Sequence, residues 1–382
     1  MSSDLEKTVD EIFDNLVKSR FIEMFGGLKQ KKYPTKYGYE LFKFSSGKFL
    51  EESKRMTEGI PVYGGNGITW YTDIPLLAAP TIIIGRVGIY CGNVRLVKDP
   101  CWITDNAIYI KSFLTNDLEI EFVEHLMVLM NFNQHSNESA QPKITQKPLE
   151  ESEYIIPPKE KQKEFIRFCN QVDKSKLIFK QLVSEFDQLV KSRFIELISR
   201  YENEVDYVHK YNDICEIITD GEHSTPTRAD QGIYLLSARN VVNHAIDLED
   251  VDHIPENEYE RISKRIKPRA GDILISCSGT VGRVCSVPDD LTFQMVRSVA
   301  LLRLKEGINN IFFEWLVDSS FTQNQIANSI HQSAQANLFQ GKIRNLVAII
   351  PPEEEQIEFA KFVQQVDKSK LMIKELLESI SG

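Results

Sequence analysis

The feature that most constrains this chain is a repeat that runs with two different periods. The stretch LVKSRFIE occurs at 16–23 and again, unchanged, at 189–196, which is 173 residues later. IIPPKEKQKEF at 155–165 returns as IIPPEEEQIEF at 349–359, which is 194 residues later. Self-similarity of this kind indicates duplicated structural units. Two periods arise when conserved segments alternate with inserts of unequal length.

Two further stretches share the longer offset. QVDKSKL occurs at 171–177 and at 365–371, and SAQPKI at 139–144 is matched by SAQANL at 333–338. The segments between the conserved stretches are much less alike, and the second is the longer one. We therefore expect two diverged domains within one repeated frame.

The conserved segments predict long helices. Over 158–198, apolar residues recur at spacings of three and four, with Ser175 at the one missing step, which is the heptad pattern of a coiled coil. The predicted seam residues are Phe165, Phe168, Val172, Phe179, Leu182 and Phe186 in the central helix, and Phe359, Phe362, Val366, Ile373 and Leu376 in the C-terminal helix. Pro157 and Pro158 favour a helix start, because proline fits the first turn.

The N-terminal segment matches the second half of the central helix, and the C-terminal segment matches its first half. The matching residues are Phe13, Leu16, Val17 and Phe21 for Phe186, Leu189, Val190 and Phe194. This order predicts a circularly permuted, pseudo-two-fold repeat. We expect two antiparallel coiled-coil helices, each roughly 60 Å long at about 1.5 Å per residue, that separate the two inserts.

The inserts are predicted to be strand-rich and related to each other. The stretches 80–99 and 271–290 both alternate β-branched runs with glycine turns. Each insert also carries a late helical pattern, at 119–132 and 310–330. The expected fold class is α+β. The expected domains are an N-terminal helix at 1–26, a first insert at 27–153, a central helix at 154–200, a second insert at 201–347 and a C-terminal helix at 348–382.

Charge and hydropathy exclude some classes of protein. The formal net charge of −10 argues against nucleic-acid binding through overall charge, because phosphate neutralisation needs Lys and Arg. Local basic stretches at 29–43 and 261–269 either contact a polyanion or are solvated loops.

The apolar run IPLLAAPTIIIG holds two prolines and is too short to span a bilayer. The N-terminal residues are polar and acidic, so we expect a cytoplasmic protein without a secretory signal or membrane contact.

No pattern in the sequence predicts catalysis or a metal site. The six cysteines form no C-x-x-C pair and lie apart from the histidines, so we interpret them as reduced thiols and expect no metal. The phosphate-loop spacing is missing, and YGGNG at 63–67 is not followed by a helical pattern. Ser276, Ser278 and Thr280 have no histidine within sequence reach. We expect neither a catalytic residue nor a cofactor in this chain.

Taken together, the chain resembles the DNA-specificity subunit of type I restriction-modification systems. The resemblance covers essentially the whole chain. Its motifs are GIPVYGGNGITWYTD (59–73), TIIIGRVG (81–88), TDNAIYI (104–110), DGEHSTP (220–226), IYLLSARNV (233–241), RIKPRAGDILISCSGTVG (265–282) and the IIPP-x-x-x-Q segment after both inserts. Each motif alone is moderately specific for this family. The presence of all of them in this order is a stronger indication than any single motif.

The resemblance implies that each insert is a target-recognition domain for one half of a split, asymmetric target in double-stranded DNA. It implies that the helices dock two methyltransferase subunits, which bring S-adenosylmethionine and the chemistry, and that motor-nuclease restriction subunits can join. A rigid spacer would set the two readers about one turn of duplex apart. The alternatives are a recognition subunit of a related type II-like system, a single-chain methyltransferase or nuclease, and a coiled-coil adaptor that does not bind DNA.

Polar and basic positions beside glycine turns are the candidate DNA contacts, because base edges and phosphates are contacted by such side chains. The candidates are Lys54, Arg55, Asn66, Arg86 and Arg95 in the first insert, and His223, Ser224, Arg228, Arg239, Asn240, Arg283 and Arg297 in the second. A structural ion pair is the alternative for each. Trp70, Tyr63 and Tyr71 are core residues or base contacts.

Overall fold

The computed structural model describes residues 2–27, 30–78, 80–135, 143–331 and 337–381. The helices are α1 Ser2–Phe25, α2 Gly38–Leu41, α3 Ile120–Met130, α4 Gln146–Glu151, α5 Lys159–Ser199, α6 Tyr211–Ile214, α7 Glu256–Ser263, α8 Asn310–Asp318, α9 Ser320–His331, α10 Gln340–Arg344 and α11 Glu353–Ser381. Most of the two SAQ stretches and Lys29 of the first basic stretch lie outside the described residues.

The strands are short, as glycine turns predict. They are β1 Thr35–Tyr37, β2 Phe42–Ser46, β3 Ile60–Gly64, β4 Gly67–Thr72, β5 Thr81–Gly85, β6 Val94–Val97, β7 Trp102–Ile103, β8 Ala107–Phe113, β9 Glu153–Ile155, β10 Val208–Lys210, β11 Cys215–Asp220, β12 Ile233–Leu236, β13 Val241–Val242, β14 Ala245–Ile246, β15 Asp252–Ile254, β16 Ile273–Ser276, β17 Val284–Ser286, β18 Phe293–Met295, β19 Val299–Leu304 and β20 Val347–Ile349. The mixed helix and strand content confirms the α+β fold class.

The chain divides into two compact units. The first unit comprises residues 10–178, and the second comprises residues 179–380 together with the start of the chain up to Val9. The long helix α5 contributes its first half to one unit and its second half to the other. It begins after Pro158, whose carbonyl accepts a 2.9 Å hydrogen bond from the Lys161 backbone, as the proline pair predicts.

The first unit is built on a four-stranded antiparallel sheet in the order β2-β8-β5-β6. A smaller sheet, β4-β3-β7, contains the parallel pair β3–β7. A separate two-stranded antiparallel sheet, β1–β9, pairs Thr35 with Ile155 and brings the start of the insert to the segment just before α5. Beneath the larger sheet, Phe25 packs against Phe122 at 5.3 Å and against Phe165 at 5.4 Å between ring centroids.

The second unit repeats this arrangement. Its larger sheet has the order β11-β19-β16-β17, and its smaller sheet, β15-β12-β18, also contains one parallel pair, β12–β18. The two-stranded antiparallel sheet β10–β20 pairs Val208 with Ile349, which are the repeat equivalents of Thr35 and Ile155. The shared strand order confirms that the inserts are diverged copies of one domain. The helical stretch 310–330 is divided at Ser319 into α8 and α9, whereas one helix was predicted.

An antiparallel pair of helices supports each unit. In the first unit, Phe21 of α1 packs on Phe165 of α5, with 5.6 Å between ring centroids, and Arg20 forms a 3.2 Å ion pair with Glu164. In the second unit, Phe194 of α5 packs on Phe359 of α11 at 5.4 Å, and Arg193 and Glu358 form a 3.2 Å ion pair. The two sets of contacts are equivalent under the repeat.

The predicted seam positions differ in their burial. The buried seam residues are Phe165, Val172, Phe359 and Val366. The half-buried seam residues are Phe168, Phe179, Leu182, Phe186, Phe362 and Ile373. Leu376 is 55% exposed, whereas the next residue, Leu377, is fully buried. The seam shifts by one residue near the end of α11, because 3.6 residues per turn drift away from a strict heptad.

A buried glutamine fixes each insert to its conserved helix. Gln162 of α5 accepts a 2.8 Å hydrogen bond from the Glu119 backbone and donates to the carbonyls of Asp117 and Pro157. Gln356 of α11 accepts 3.0 Å from the Asn309 backbone. These bonds hold the segment before α3 and the segment before α8 in equivalent positions, so the strands above them are fixed in orientation.

Candidate nucleic-acid interface

Three of the predicted residues of the first unit come together around the β3–β4 turn. Arg95 of β6 donates a 3.4 Å hydrogen bond to the carbonyl of Asn66 at the turn. Arg86, which follows β5, donates 3.2 Å to the carbonyl of Asp105. Gly65 lets the turn lie close to the segment before β8, since a Cβ there would be 3.3 Å from the Asn106 carbonyl. The result is a polar edge with two arginines and an exposed asparagine.

A cleft of about 200 Å³ opens beside this edge, lined by glycines together with Asn93, Arg95 and Asn133. Three of its glycines come from the YGGNG stretch, Gly85 ends β5, and Gly92 lies in the turn between β5 and β6. Glycine is needed at Gly92, where a Cβ would lie 2.4 Å from the Asn133 side chain. The glycines of this stretch thus shape the surface of the cleft.

The other two predicted residues of the first unit form a separate group. The guanidinium of Arg55 lies 4.0 Å from the Trp70 ring centroid and 5.7 Å from that of Phe49. Its hydrogen bonds go to Glu52 at 3.4 Å and to the carbonyl of Leu50 at 3.3 Å. The Arg55 guanidinium is therefore bonded within its own loop and lies against two exposed aromatic rings. Lys54 is the more exposed cation of the two.

The aromatic residues of this stretch differ in their placement. Trp70 is 38% exposed and Phe49 is 65% exposed, so the interpretation of Trp70 as a core residue is wrong. Tyr63 and Tyr71 are half-buried, and burial raises the pKa of the Tyr63 hydroxyl. Exposed rings next to cations are suited to stacking on bases or on other planar groups.

In the second unit, His223 and Ser224 lie in the loop that follows β11. His223 Nε2 is 2.9 Å from Asp220 Oδ2, and both the backbone and the hydroxyl of Ser224 donate to Glu222. Arg297 is exposed nearby, and its backbone donates 3.0 Å to the Glu222 carbonyl. The loop therefore presents an imidazole, a hydroxyl and a guanidinium around two carboxylates.

The carboxylates in this loop are held in their charged form. Burial raises the pKa of Asp220, but hydrogen bonds from His223 and Arg265 outweigh burial and bring its pKa below the ordinary value. The hydrogen bond from Ser224 is the main reason that the pKa of Glu222 is also lowered. Both groups remain anionic at neutral pH and offset part of the positive charge of the neighbouring arginines.

Arg228 and Arg239 meet at one carboxylate on β15. Arg228 Nε lies 3.1 Å from Asp252, and Arg239 lies 3.3 Å from Asp252 and from Asp250. Both side chains remain about half exposed. Arg283 is half-buried, and its backbone donates 2.9 Å to the Ser276 hydroxyl. The predicted residues of this unit thus form two groups, and Arg283 belongs to neither.

The prediction of a DNA contact at Asn240 is corrected by the structure. Asn240 is 2% exposed. Its side-chain oxygen accepts from the Ser237 backbone at 2.9 Å, and its amide donates to the carbonyls of Asp247 and Asp250. All of its hydrogen-bonding capacity is used within the loop, because a buried amide without partners would destabilise the fold.

Two arginines that the sequence interpretation had not assigned hold the loop after β11. Arg265 donates to the Gly221 carbonyl at 2.9 Å and to Asp220 at 2.9 Å. Arg261 of α7 bonds to Glu258 at 3.0 Å and reaches the Ser224 hydroxyl at 3.4 Å. Both belong to the basic stretch 261–269. The sequence shows this density of cations, but the loop that these arginines contact lies 37 to 44 residues earlier.

The six cysteines are buried free thiols, and Ser276 lies next to a glycine turn. Burial raises the pKa of all six thiols, to about 11 for Cys101 and about 12 for Cys277. The Ser276 hydroxyl donates 2.6 Å to the Thr280 carbonyl and is committed to its turn. Within the described ranges, no group of three or more His, Cys, Asp or Glu residues is arranged to hold a metal ion. No described helix is long and apolar enough to cross a membrane.

The helices carry exposed apolar residues at equivalent positions of the two repeats. The pairs are Ile22 and Ile195, Leu177 and Leu371, and Ile178 and Met372, and each residue is at least 47% exposed. The first member of each pair lies in the first unit and the second member in the second unit. Exposed apolar side chains repeated in this way mark candidate protein-binding positions.

Comparison with known proteins gives one family. The chain matches the model of the type I restriction modification DNA specificity domain twice, over residues 38–185 and 204–381. It is 30% identical over 128 residues to the type I restriction enzyme EcoprrI specificity subunit of Escherichia coli, covering 32% of this chain and 31% of that protein. It is 27% identical over 136 residues to the EcoBI specificity subunit of Escherichia coli, covering 35% of this chain and 28% of that protein. The matches span about a third of these curated relatives.

Solved structures show a similar fold over most of the chain. The S subunit of a type I restriction-modification system from M. genitalium has a TM-score of 0.55 at 16% identity, covering 92% of this chain and 93% of that one. A chain from a structure on complex assembly and conformational transition of the type I R-M system has a TM-score of 0.52 at 14% identity, covering 92% and 95%. At such identities the likeness concerns the fold alone.

Proposed function

Because the chain belongs to the type I restriction-modification DNA specificity family, we propose that it is the non-catalytic, sequence-specific DNA-binding subunit of such a system. Each unit reads one half of a bipartite target in double-stranded DNA. Methylation and cleavage are carried out by partner subunits, and S-adenosylmethionine is bound by the methyltransferase partners.

The observation that carries this proposal is that the helix contacts of the two units are equivalent, whereas their candidate DNA surfaces differ. The frame contacts recur under the repeat, as in the Arg20–Glu164 and Arg193–Glu358 pairs at 3.2 Å. The candidate DNA surfaces do not recur, since one group centres on Arg55 between aromatic rings and the other on arginines paired with carboxylates. A conserved frame with diverged surfaces is what reading two different half-sites requires.

The surface chemistry supports a division between positioning and reading. Lys54, Arg86 and Arg95 offer cations for phosphates, which fix register and orientation without sequence information. Asn66, His223 and Ser224 are exposed at turns and offer donors and acceptors for base edges in the major groove. With a formal net charge of −10, the chain would bind DNA through these local surfaces.

The repeated apolar positions on the helices support two copies of the same kind of partner. Ile22 in the first unit and Ile195 in the second lie at equivalent places in identical sequence, LVKSRFIE. One methyltransferase subunit would recognise each copy, giving two in the assembly. Motor-nuclease restriction subunits would then join through this chain or through the methyltransferases.

Exchange of one insert tests the assignment of units to half-sites. Residues 27–153 are replaced by the corresponding insert of a relative with a known target, and the chain is expressed with its methyltransferase subunits. Methylome sequencing should show a change in one half of the methylated site only. A change in both halves, or in neither, would contradict the proposal. An assembled complex without affinity for any duplex would favour the coiled-coil adaptor.

Charge substitutions on the helices test the number of partners. Ile22→Asp and Ile195→Asp should each leave one methyltransferase in the complex, and the double variant none, as counted by native mass spectrometry. Ile74→Asp is the matched control, because Ile74 is 45% exposed but lies outside the helices. Retention of two partners by both single variants would rule out these docking positions, provided that melting temperatures match the wild type.

A further inference from the structure

The turn between β5 and β6 presents an isolated apolar side chain to solvent. This turn contains a 3-10 helix, Gly88–Tyr90, and Ile89 at its centre is 82% exposed. Gly88 has a φ of +76° with open space around its Cβ position, so the backbone bends there and directs the next residue outward. Tyr90 follows with 38% exposure.

The turn is held rigidly at its base. Gly92 donates a 2.8 Å hydrogen bond to the Gly85 carbonyl, and Cys91 donates 3.0 Å to the Gly88 carbonyl. Ile144 donates 2.9 Å to the carbonyl of Arg86. Because the backbone is tied on both sides, Ile89 is fixed in position and pays little conformational entropy on contact with a partner.

The surroundings of Ile89 are basic and polar. Arg86 begins the turn, and Val87 forms a bridge with Lys143. The β3–β4 turn, with Asn66 and the Arg95 side chain against it, abuts the Val87 carbonyl. An apolar tip that follows Arg86 and lies next to a basic and polar edge complements DNA, in which phosphates border a hydrophobic stack of bases.

The second unit has the same turn without the apolar tip. Gly279 has a φ of +68° and stands where Gly88 stands. Leu338 donates 2.9 Å to the Cys277 carbonyl, which repeats the bond from Ile144 to Arg86. Thr280, which is also exposed, occupies the place of Ile89. The frame of the turn is therefore shared, and the apolar side chain belongs to the first unit alone.

We propose that Ile89 is an apolar wedge that enters between base pairs of the half-site read by the first unit. This inference rests on the proposed DNA-binding function and adds to it a mode of reading. Inserted aliphatic side chains partly unstack a base step and kink the duplex, and pyrimidine–purine steps yield most readily. The first half-site would thus be read in part through its deformability, and the second half-site would not.

The test uses the full chain assembled with its methyltransferase subunits. Duplexes carry 2-aminopurine at successive positions of the first half-site, because its fluorescence rises when it is unstacked. Wild type should raise the fluorescence at one step, and Ile89→Ser should lose that rise. Leu114→Ser is the control in the same unit, since Leu114 is 57% exposed, and Thr280→Ser is the control at the equivalent turn. Both controls should retain the rise.

Four outcomes would overturn the wedge. The first is that the wild type binds the duplex without a fluorescence rise at any position, and the second is a full rise with Ile89→Ser. The third is loss of the rise in the Leu114→Ser control. The fourth is loss of subunit assembly in Ile89→Ser, which would identify Ile89 as a protein contact. Failure of the wild-type complex to bind any duplex would instead overturn the proposed function. Melting temperatures equal to wild type exclude misfolding of the variants.

Discussion

Lys370 Nζ donates a 2.5 Å hydrogen bond to Asp187 Oδ1 and thereby joins α11 to α5 within the second unit. The repeat-equivalent contact in the first unit is made by Lys176 and Asp14 at 2.9 Å. The Lys370 side chain is 7% exposed, whereas that of Lys176 is 23% exposed. The same ion pair is therefore present twice in one chain, at two depths of burial.

Removing the lysine ammonium should lower the free energy of unfolding more at Lys370, the more buried copy, than at Lys176. We expect Lys370→Met to lower the free energy of unfolding by about 2–4 kcal/mol, because Asp187 loses its charged partner at a partly desolvated position. Lys176→Met should cost roughly 0–1 kcal/mol, since a more exposed pair contributes little. Urea denaturation of both variants measures the difference. Equal losses would show that burial does not set the strength of this contact.

His244 should make the second unit less stable at high pH. Burial lowers the pKa of His244, but hydrogen bonds to Asp318 and Glu314 at 3.3 and 2.7 Å outweigh it and raise the pKa to about 9. The folded-state pKa lies above the unfolded value of about 6.5. The stabilisation is therefore complete below about pH 6.5 and is lost as the pH rises through 9.

The loss should amount to a few kcal/mol, on the order of 2–3 for a shift of this size. Unfolding free energies between pH 6 and pH 10 measure it. His244→Asn should flatten this part of the profile, because asparagine tolerates the backbone φ of 63° at this position. His209→Asn is the control and should keep the wild-type slope. A wild-type profile that is flat over this range would contradict the assignment.

Replacing Gln162 and replacing Gln356 should lower the stability of the protein by different amounts. Gln162→Met leaves a backbone N–H and two carbonyls without partners, and we expect a loss of about 2–4 kcal/mol. Gln356→Met should cost less, because one of the three bonds of Gln356, to the Gly307 carbonyl, is already 3.5 Å long. Thermal unfolding of the two variants ranks them. A greater loss for Gln356→Met would reverse this interpretation of the two clamps.

The register at the end of α11 can be tested with adjacent leucines. Leu377→Asp buries a charge without a partner and should destabilise the helix pair by several kcal/mol. Leu376→Asp should change stability by less than about 0.5 kcal/mol, since Leu376 is 55% exposed. Helix content and melting temperature distinguish the two. A larger effect at Leu376 would restore the heptad register predicted from the sequence.

Part of the candidate surface was also predictable from the sequence. Asn66, Arg86 and Arg95 do lie together, because glycine turns bring their strands to one edge of the first unit. The basic side chain of Arg55 predicts a DNA contact, but its fork is bonded within its own loop and its face is stacked on Trp70. The polar turn position of Asn240 predicts the same, but Asn240 is buried. Residue type and turn position do not indicate which partner a side chain finds.

The sequence by itself determined the frame: a repeat opened within a helix, long helices with apolar seams, and two related strand-rich inserts. Repeats and heptads are local or directly comparable patterns, so they can be recognised without knowing any contact. Tertiary structure alone decided that Leu377 replaces Leu376 on the seam, that Arg265 holds a loop 44 residues away, and that Ile89 stands free while Asn240 is buried. These outcomes depend on packing between distant segments, and their energies are set by neighbours that no sequence spacing specifies.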